Sequence, residues 1–249
     1  MDIILHNKSL QSECDKKNVY NHWAETYEEY VNSIGYKGPH NFTNIFINMI
    51  LGNEFLEDNQ VITILDFGCG TGLLGLNIRR LCQSKKINIE LIGVDISEKM
   101  LDVAGDKIRK MNITNITLEL SKAEKLKYKN NFFDLISIGY GVRNFEDLIN
   151  GLKESYRVLK KNGKLIILET SVPNNFLIKY LYLLFTSIYI PLISFIFTKN
   201  MKAYNYLLDS TKEFPHEKEF KKILGSVGFK NIASKKKFFG ISTIYILTK

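Results

Sequence analysis

The hydrophobic pattern of this chain alternates between two kinds of segment. Short, nearly continuous apolar runs are typical of strands buried on both faces of a parallel sheet. Between them, apolar residues recur three or four positions apart, which indicates amphipathic helices. The predicted strands are Val61–Leu65, Ile87–Asp95, Asn115–Leu120, Phe132–Gly139 and, after a turn at Asn162-Gly163, Lys164–Glu169. The predicted helices are Leu73–Cys82, a helix capped by Ser97 with Met100, Ala104, Ile108 and Met111 on one face, and Phe145–Leu159. This alternation predicts an α/β fold with a doubly wound, mostly parallel sheet.

Both ends of the chain add to this core. Residues 9–32 have Val19, Trp23 and Tyr27 near helical spacing, and Phe42–Ile50 shows one apolar helical face. Near the other end the pattern predicts a helix with four inward residues, Phe220, Ile223, Leu224 and Val227, followed by strands Phe229–Phe238 and Ile241–Thr248. We expect these two strands to complete the same sheet, which would then be Rossmann-like and seven-stranded.

An uncharged apolar run interrupts the alternation after the fifth strand. Tyr180–Phe197 has 18 residues without a charge, close to the lower length for a membrane span. A single crossing would place the last helix and two strands on the far side of the membrane, away from their sheet, and Pro191 breaks the run. We therefore interpret this region as a helical cap inserted between strands 5 and 6, over the carboxyl ends of the strands. The cap either completes the core or forms a lid for a lipophilic substrate.

A glycine-rich loop follows the first strand and reads Asp66-Phe67-Gly68-Cys69-Gly70-Thr71-Gly72. Glycines at every second position favour a loop that lets a ligand approach the backbone. A loop between a buried strand and a helix N-terminus is typical of a nucleotide-type site at the carboxyl end of a sheet. Leu73 stands where a dinucleotide fingerprint needs glycine, and a P-loop lysine is missing. The leading acid would repel a pyrophosphate but suits a cationic amino group.

This loop resembles the first motif of class I S-adenosylmethionine-dependent methyltransferases. Asp95 ends the second strand, where an acid accepts hydrogen bonds from ribose hydroxyls in such sheets. The residues that we predict to bind S-adenosyl-L-methionine are Tyr27, Asp66, Gly68, Gly70, Gly72, Asp95, Ile96, Lys122, Ala123 and Gly139. The alternative is a glycine-rich connection without a ligand.

Two longer blocks resemble the ubiquinone/menaquinone biosynthesis C-methyltransferase family. Phe132–Glu169 reads FFDLISIGYGVRNFEDLINGLKESYRVLKKNGKLIILE, and a later block reads IPLISFIFTKNMKAYNYLLDSTKEFP. The resemblance covers Ile62–Lys249, and its most specific parts are Gly141-x-Arg143-Asn144 and Tyr204–Pro215. The chain departs from the family at Leu73, where the family usually has aspartate, and at Lys122, where it often has a polar acceptor for the adenine.

The resemblance implies methylation of a ring carbon of a demethylated polyprenyl quinol. Arg143 and Asn144 would then be catalytic, and Tyr140 and Glu169 would contact the substrate. Arg143 could instead pair with an acid and cap the next helix, and Glu169 could pair with a lysine. Two other functions stay open: a class I methyltransferase acting on another lipophilic phenol or polyketide, and a cofactor-binding, membrane-associated protein without turnover.

The composition bounds the compartment and the partners. The net charge is +8, but lysines are spread through the chain and no nucleic-acid-binding motif is present, so we expect no nucleic acid partner. Three cysteines without a C-x-x-C spacing favour a reducing compartment and no metal site.

Residues 1–30 show no targeting pattern, so we expect a cytoplasmic protein. Lys212–Lys237 has eight lysines against three glutamates. Together with the apolar run, this segment predicts reversible docking at the inner face of an anionic membrane; the alternative is a soluble lid and an ordinary solvated lysine face. A homodimer is a further expectation.

These features predict four regions. Residues 1–58 form a helical N-terminal lead-in and lid, and residues 59–173 form the core that binds S-adenosylmethionine. Residues 174–210 form the hydrophobic helical cap, and residues 211–249 supply the helix and two strands that complete the sheet.

Overall fold

The computed structural model describes residues 16–24, 42–46, 48, 60–173, 176–184, 210–211 and 213–249. Its strands are β1 Ile62–Phe67, β2 Ile89–Asp95, β3 Ile116–Leu120, β4 Phe133–Gly139, β5 Leu159–Thr170, β6 Lys230–Lys237 and β7 Ser242–Thr248. Its helices with defined bounds are α1 Leu73–Ser84, α2 Glu98–Lys110, α3 Leu148–Val158, α4 Phe176–Leu184 and α5 Glu217–Val227. The seven strands form one sheet in the order β3-β2-β1-β4-β5-β7-β6, which confirms the predicted fold class.

The strand order places the candidate site. β1 pairs in parallel with both β2 and β4. β2 and β3 therefore lie on one side of β1, and β4 and the later strands lie on the other. A crevice forms at the carboxyl ends of two such central strands, and ligands of doubly wound sheets bind there. β7 runs antiparallel to both β5 and β6, so β6 again points the same way as β5. The carboxyl ends of β1, β4, β5 and β6 therefore share one edge of the sheet.

The core lies on both faces of the sheet, as the continuous apolar runs predict. In β1, Ile62 and Ile64 face one apolar cluster, and Leu65 and Phe67 face the other. The first cluster includes side chains from α1 and from the N-terminal segment 42–46: Ile78, Cys82, Phe42 and Phe46. The second cluster includes side chains from α3 and α5: Leu152, Val158, Phe220 and Leu224. Burial of these side chains is the main force that holds the helices to the sheet.

Some local predictions were wrong. Met111 was expected on the buried face of its helix, but it lies just beyond the end of α2 and is 54% exposed. The turn at Asn162-Gly163 lies inside a continuous β5, where Asn162 has a φ of 64° and the register with β4 shifts. Phe238 does not end a strand but begins a short 3₁₀ turn.

The outer regions are described only in part. Residues 16–24 are helical, in agreement with the predicted lead-in, whereas Tyr27 lies outside the described residues. Helix α4 lies within the predicted cap. Pro191 and the rest of the apolar run lie outside the described residues. Among the residues that the structure describes, no helix is both long and apolar enough to cross a bilayer. The division into four regions stays a prediction.

Candidate functional site

The glycine loop forms an open cradle at the N-terminus of α1. Gly68, Gly70 and Gly72 have φ values of 65°, 53° and 77°, in the left-handed region that favours glycine. A Cβ atom added at Gly70 would meet no heavy atom within 4 Å, so the backbone here faces open space. The amide of Cys69 donates to the carbonyl of Val94 (3.0 Å), which ties the loop to β2. These features fit a ligand that packs directly against the loop backbone.

Asp95 connects the loop to the start of α2. Its two carboxylate oxygens accept hydrogen bonds from the amides of Gly70 (2.8 Å) and Ser97 (2.9 Å). Ser97 in turn caps α2, because its hydroxyl accepts from the amide of Met100 (3.2 Å), as predicted. Desolvation raises the pKa of Asp95, and the amides of Ser97, Gly70 and Ile96 oppose that shift. A carboxylate has about four acceptor positions, so binding of a ribose hydroxyl stays a prediction compatible with this geometry.

Asp66 lies beneath the cradle rather than in it. Its side chain is 1% exposed, and Oδ1 accepts a hydrogen bond from the hydroxyl of Ser137 in β4 (2.9 Å). Desolvation raises the pKa of Asp66 from an ordinary 3.8 to about 7. A direct contact between Asp66 and the cofactor stays a prediction.

The other predicted cofactor residues surround the same crevice. Ala123 is buried, Ile96 and Gly139 are half-buried, and the exposed ammonium group of Lys122 lies 3.7 Å from Glu146 Oε2. A Cβ atom added at Gly68 would lie 3.6 Å from the Cα atom of Gly141, so the cradle touches the segment that follows β4. Their contacts with a cofactor stay predictions.

Arg143 and Glu169 form a buried ion pair at the ends of β4 and β5. Arg143 Nη1 lies 2.5 Å from Glu169 Oε1, and the two side chains are 5% and 1% exposed. Arg143 also donates to the carbonyl of Tyr140 (2.9 Å) and to the hydroxyl of Ser210 (3.3 Å). The pairing with an acid was one of the two alternatives for Arg143, and the partner of Glu169 is this arginine rather than a lysine.

Asn144 and Tyr140 complete the segment after β4. The amide group of Asn144 donates to the hydroxyl of Tyr20 (2.7 Å), which lies in the N-terminal helical segment. Tyr140 has a φ of 56°, and its hydroxyl lies 3.0 Å from that of Ser242 in β7. The side chain of Tyr140 is therefore bonded to the sheet, and its role as a substrate contact stays a prediction.

Three supporting residues were missed at the level of sequence. Tyr20 and the buried Lys16 lie in the N-terminal helical segment and contact the segment after β4. Lys16 donates to the carbonyl of Phe145 (3.3 Å), and burial lowers the pKa of Lys16. Local sequence carries no signal for either contact. Ser137 does have a signal in the sequence. A hydroxyl inside the mostly apolar run Phe132–Gly139 needs a buried hydrogen-bond partner.

A cleft of about 240 Å³ lies beside the ion pair. It is lined by Thr170 at the end of β5 and Ser171 after it, and by Thr243 and Tyr245 of β7. The start of α5 and the residues before it also line the cleft, including Phe214, His216 and Lys218. Its wall combines hydroxyl groups and aromatic surface with the charged side chains of Glu217, Lys218 and Lys236.

Comparisons with known proteins identify relatives of this chain. The sequence model of the ubiE/COQ5 methyltransferase family matches residues 8–249. A demethylmenaquinone methyltransferase from Chlorobaculum parvum is 34% identical over 94% of this chain and 92% of its own length. A protein of the same name from Bacteroides fragilis is 36% identical over 75% of each chain. The ubiquinone/menaquinone biosynthesis C-methyltransferase of Geobacter sulfurreducens is 38% identical over 73% of this chain and 70% of its own.

Solved structures share the fold. A SAM-dependent methyltransferase from Aquifex aeolicus superposes with a TM-score of 0.54 at 18% identity, covering 75% of this chain and 81% of its own. The methyltransferase domain of the citrinin polyketide synthase has a TM-score of 0.63 at 16% identity, covering 95% and 57%. The fold, the glycine cradle and the match over residues 8–249 agree: the chain belongs to the ubiE/COQ5 methyltransferase family.

Proposed function

We propose that this methyltransferase uses S-adenosyl-L-methionine to methylate a ring carbon of a demethylated polyprenyl quinol in menaquinone or ubiquinone biosynthesis. The observation that carries the proposal is the contact between two parts of the site. The open glycine cradle touches Gly141, and two residues later Arg143 forms its buried pair with Glu169. Relatives named for this reaction on demethylmenaquinone match the chain over both parts.

The cradle and its neighbours would hold the cofactor. Gly68, Gly70 and Gly72 would pack against it, Asp95 would accept from its ribose hydroxyls, and Asp66 would support the loop from below. When bound, S-adenosylmethionine supplies an electrophilic methyl group on a sulfonium. This chain's own residues must then bring the ring carbon close to that methyl group and exclude water.

Arg143 would act on the ring oxygen. A quinol carbon becomes nucleophilic when a neighbouring hydroxyl is ionised or polarised, and a fixed guanidinium donor stabilises that charge in a site shielded from water. Glu169 neutralises the charge of Arg143 and holds its orientation, so Arg143 would serve as an oriented donor rather than as a net cation. Arginine holds its proton too tightly to be a base, so an oriented water would remove the ring proton. Asn144, which donates to Tyr20, would position the same ring.

Transfer of a labelled methyl group tests the proposal. The purified protein is incubated with methyl-labelled S-adenosylmethionine and a short-chain demethylated naphthoquinol or benzoquinol, and labelled product is extracted. The oxidised quinone is the matched control, because it lacks the ionisable hydroxyl and should accept no label. Label on another phenol but on neither quinol would support the broader phenol or polyketide alternative. Cofactor binding without transfer to any acceptor would support a protein without turnover.

The proposal includes collection of the substrate at a membrane surface. A polyprenyl quinol is dissolved in the bilayer, and the chain offers the apolar run Tyr180–Phe197 and the lysine-rich segment Lys212–Lys237. Lysines near an anionic leaflet contribute about 1 kcal/mol each, so three or four of them suffice for reversible docking. The protein would work at the cytoplasmic face of the membrane, and a homodimer is part of the proposal that analytical ultracentrifugation checks.

A further inference from the structure

Two exposed phenylalanines stand in a short turn between β6 and β7. This aromatic turn, Phe238–Gly240, carries Phe238 at 45% exposure and Phe239 at 83%. Their φ values are 50° and 57°, a left-handed conformation that bulky residues rarely adopt. Burial in the core does not explain side chains that are exposed, and asparagine or glycine would suit this backbone better. A strained backbone that holds aromatic rings in solvent indicates a binding surface.

The aromatic turn stands at the edge of the sheet that carries the candidate site. β6 points the same way as β5, so the turn lies beyond the carboxyl ends of both strands. Ser171, two residues after Glu169, fixes the turn: its amide donates to the carbonyl of Ile241 (2.7 Å) and its hydroxyl to the carbonyl of Gly240 (2.8 Å). Ser171 and Lys236 also line the cleft. The turn therefore lies next to the cleft.

Helix α4 presents further exposed apolar surface, and it follows Pro173, which the aromatic turn approaches. A Cβ atom added at Gly240 would lie 3.5 Å from the Cα atom of Pro173, and α4 begins three residues after Pro173. Phe176, Tyr180 and Leu184 are four positions apart, so they share one face of α4, and all three are exposed. We call the turn and this exposed face of α4 together the apolar rim.

The residues around the apolar rim are basic. Lys235 and Lys218 are exposed, and Lys237 is half-buried directly before Phe238. Lys236 lies 3.4 Å from Glu217, so its charge is partly balanced. Exposed aromatic side chains next to lysines match the two layers of a membrane surface, an apolar interior beneath anionic headgroups. This charge complementarity favours an anionic lipid surface as the occupant.

We propose that the apolar rim docks this protein on an anionic lipid surface, with Phe238 and Phe239 inserted among the headgroups and the cleft opening toward the lipid. The inference rests on the proposed function in one respect: docking would bring the candidate site close to a quinol that is dissolved in the bilayer. The aromatic turn, rather than the apolar run alone, makes the contact.

Sedimentation with vesicles tests the docking. The probes are vesicles of phosphatidylcholine alone and of phosphatidylcholine with one quarter phosphatidylglycerol, at low and high salt. The test variant is Phe238→Asn with Phe239→Asn, which suits the left-handed backbone and should fold at least as well as wild type. The control is Val61→Asn with Met111→Asn, which removes two exposed apolar side chains from the opposite edge of the sheet. We expect the test variant to lose about tenfold or more of its binding to the anionic vesicles, and the control to match wild type.

A second pair of variants tests the charges. Lys235→Gln with Lys237→Gln should lower binding to anionic vesicles and weaken its dependence on salt, while leaving binding to neutral vesicles unchanged. Unchanged binding of the asparagine variant would overturn the inference. Equal loss in the control would also overturn it, as would a wild-type protein that sediments with no vesicle. A wild-type dimer that the asparagine variant breaks, without vesicle binding, would show that a second copy covers the rim instead.

The docking and the proposed reaction can fail separately. Transfer of label to a short-chain quinol in solution does not need a membrane, so the asparagine variant should keep wild-type activity in that assay. With a long-chain quinol in anionic vesicles, its activity should fall together with its binding. Vesicle binding that depends on the turn, with no transfer to any quinol, would support the docking surface and contradict the proposed function.

Discussion

The buried carboxyl group of Asp66 makes the stability of this protein depend on pH in a direction that can be measured. Asp66 is 1% exposed, and desolvation raises its pKa from 3.8 to about 7. Hydrogen bonds from Ser137 and from the backbone of Gly75 oppose this shift, and the charge of Asp95 adds to it. In the unfolded chain the carboxyl group is exposed and ionises near its ordinary value.

The sign and size of the effect follow from these two values. Because the folded pKa lies above the unfolded one, the native state binds more protons between the two, so stability falls as the pH rises from about 4 to about 7. The shift of about three units corresponds to about 4 kcal/mol at 1.36 kcal/mol per unit. About one of these three units is already lost on going from low pH to pH 5, so the free energy of unfolding falls by about 3 kcal/mol between pH 5 and pH 8.

The variant Asp66→Asn removes the titrating group but keeps the size of the side chain. Urea unfolding of cofactor-free protein at pH 5, 6, 7 and 8 gives the free energy of unfolding for each protein. The stability of Asp66→Asn relative to wild type should rise by about 3 kcal/mol from pH 5 to pH 8. Cofactor must be removed first, because a ligand that binds only the native state would shift the result. The control Asp106→Asn replaces an exposed carboxylate beside Arg109 and should run parallel to wild type. Parallel curves for Asp66→Asn and wild type would refute the reasoning.

Three further variants test the candidate site. Gly70→Val should abolish the heat of cofactor binding in calorimetry while the fold persists, because its side chain would enter the cradle; wild-type affinity in the folded variant would contradict this. Asp95→Ala should weaken cofactor binding by about 1–3 kcal/mol, and an unchanged dissociation constant would exclude its ribose role. Arg143→Lys should lower turnover far more than cofactor affinity, since lysine lacks the planar fork that joins Glu169 and Ser210. Turnover near that of wild type would leave Arg143 as a structural residue.

The strands and the glycine loop could be predicted because their signals are local. A run such as Ile62–Leu65 is apolar at nearly every position, which few structures other than a doubly buried strand require. One prediction failed because the exact end of an element decides burial there. Met111 has the right spacing for the inner face of α2, but the helix ends one residue earlier and leaves it in solvent.

The place of the candidate residues at strand ends was predictable, but their pairings were not. Asp95 and the glycines stand at strand ends, and strand ends in a parallel sheet meet at one edge. Arg143 and Glu169 lie 26 positions apart, and only the pairing of β4 with β5 brings them within 2.5 Å. The contacts of Tyr20 and Lys16 depend on how the N-terminal helical segment crosses that edge, which no local pattern encodes.

Local sequence alone therefore determined the order of strands and helices, the position of the cradle and the resemblance to the family. Those features arise from spacing and from residue chemistry within a few positions, where the chain has little freedom to rearrange. The three-dimensional packing decided which acid balances Arg143, that Asp66 is buried beneath the cradle, and that Phe238 and Phe239 face solvent beside the cleft. These features depend on distant segments of the chain that meet at one edge of the sheet. Burial arises only when those segments pack together, and burial sets both the charge pairing and the pKa values.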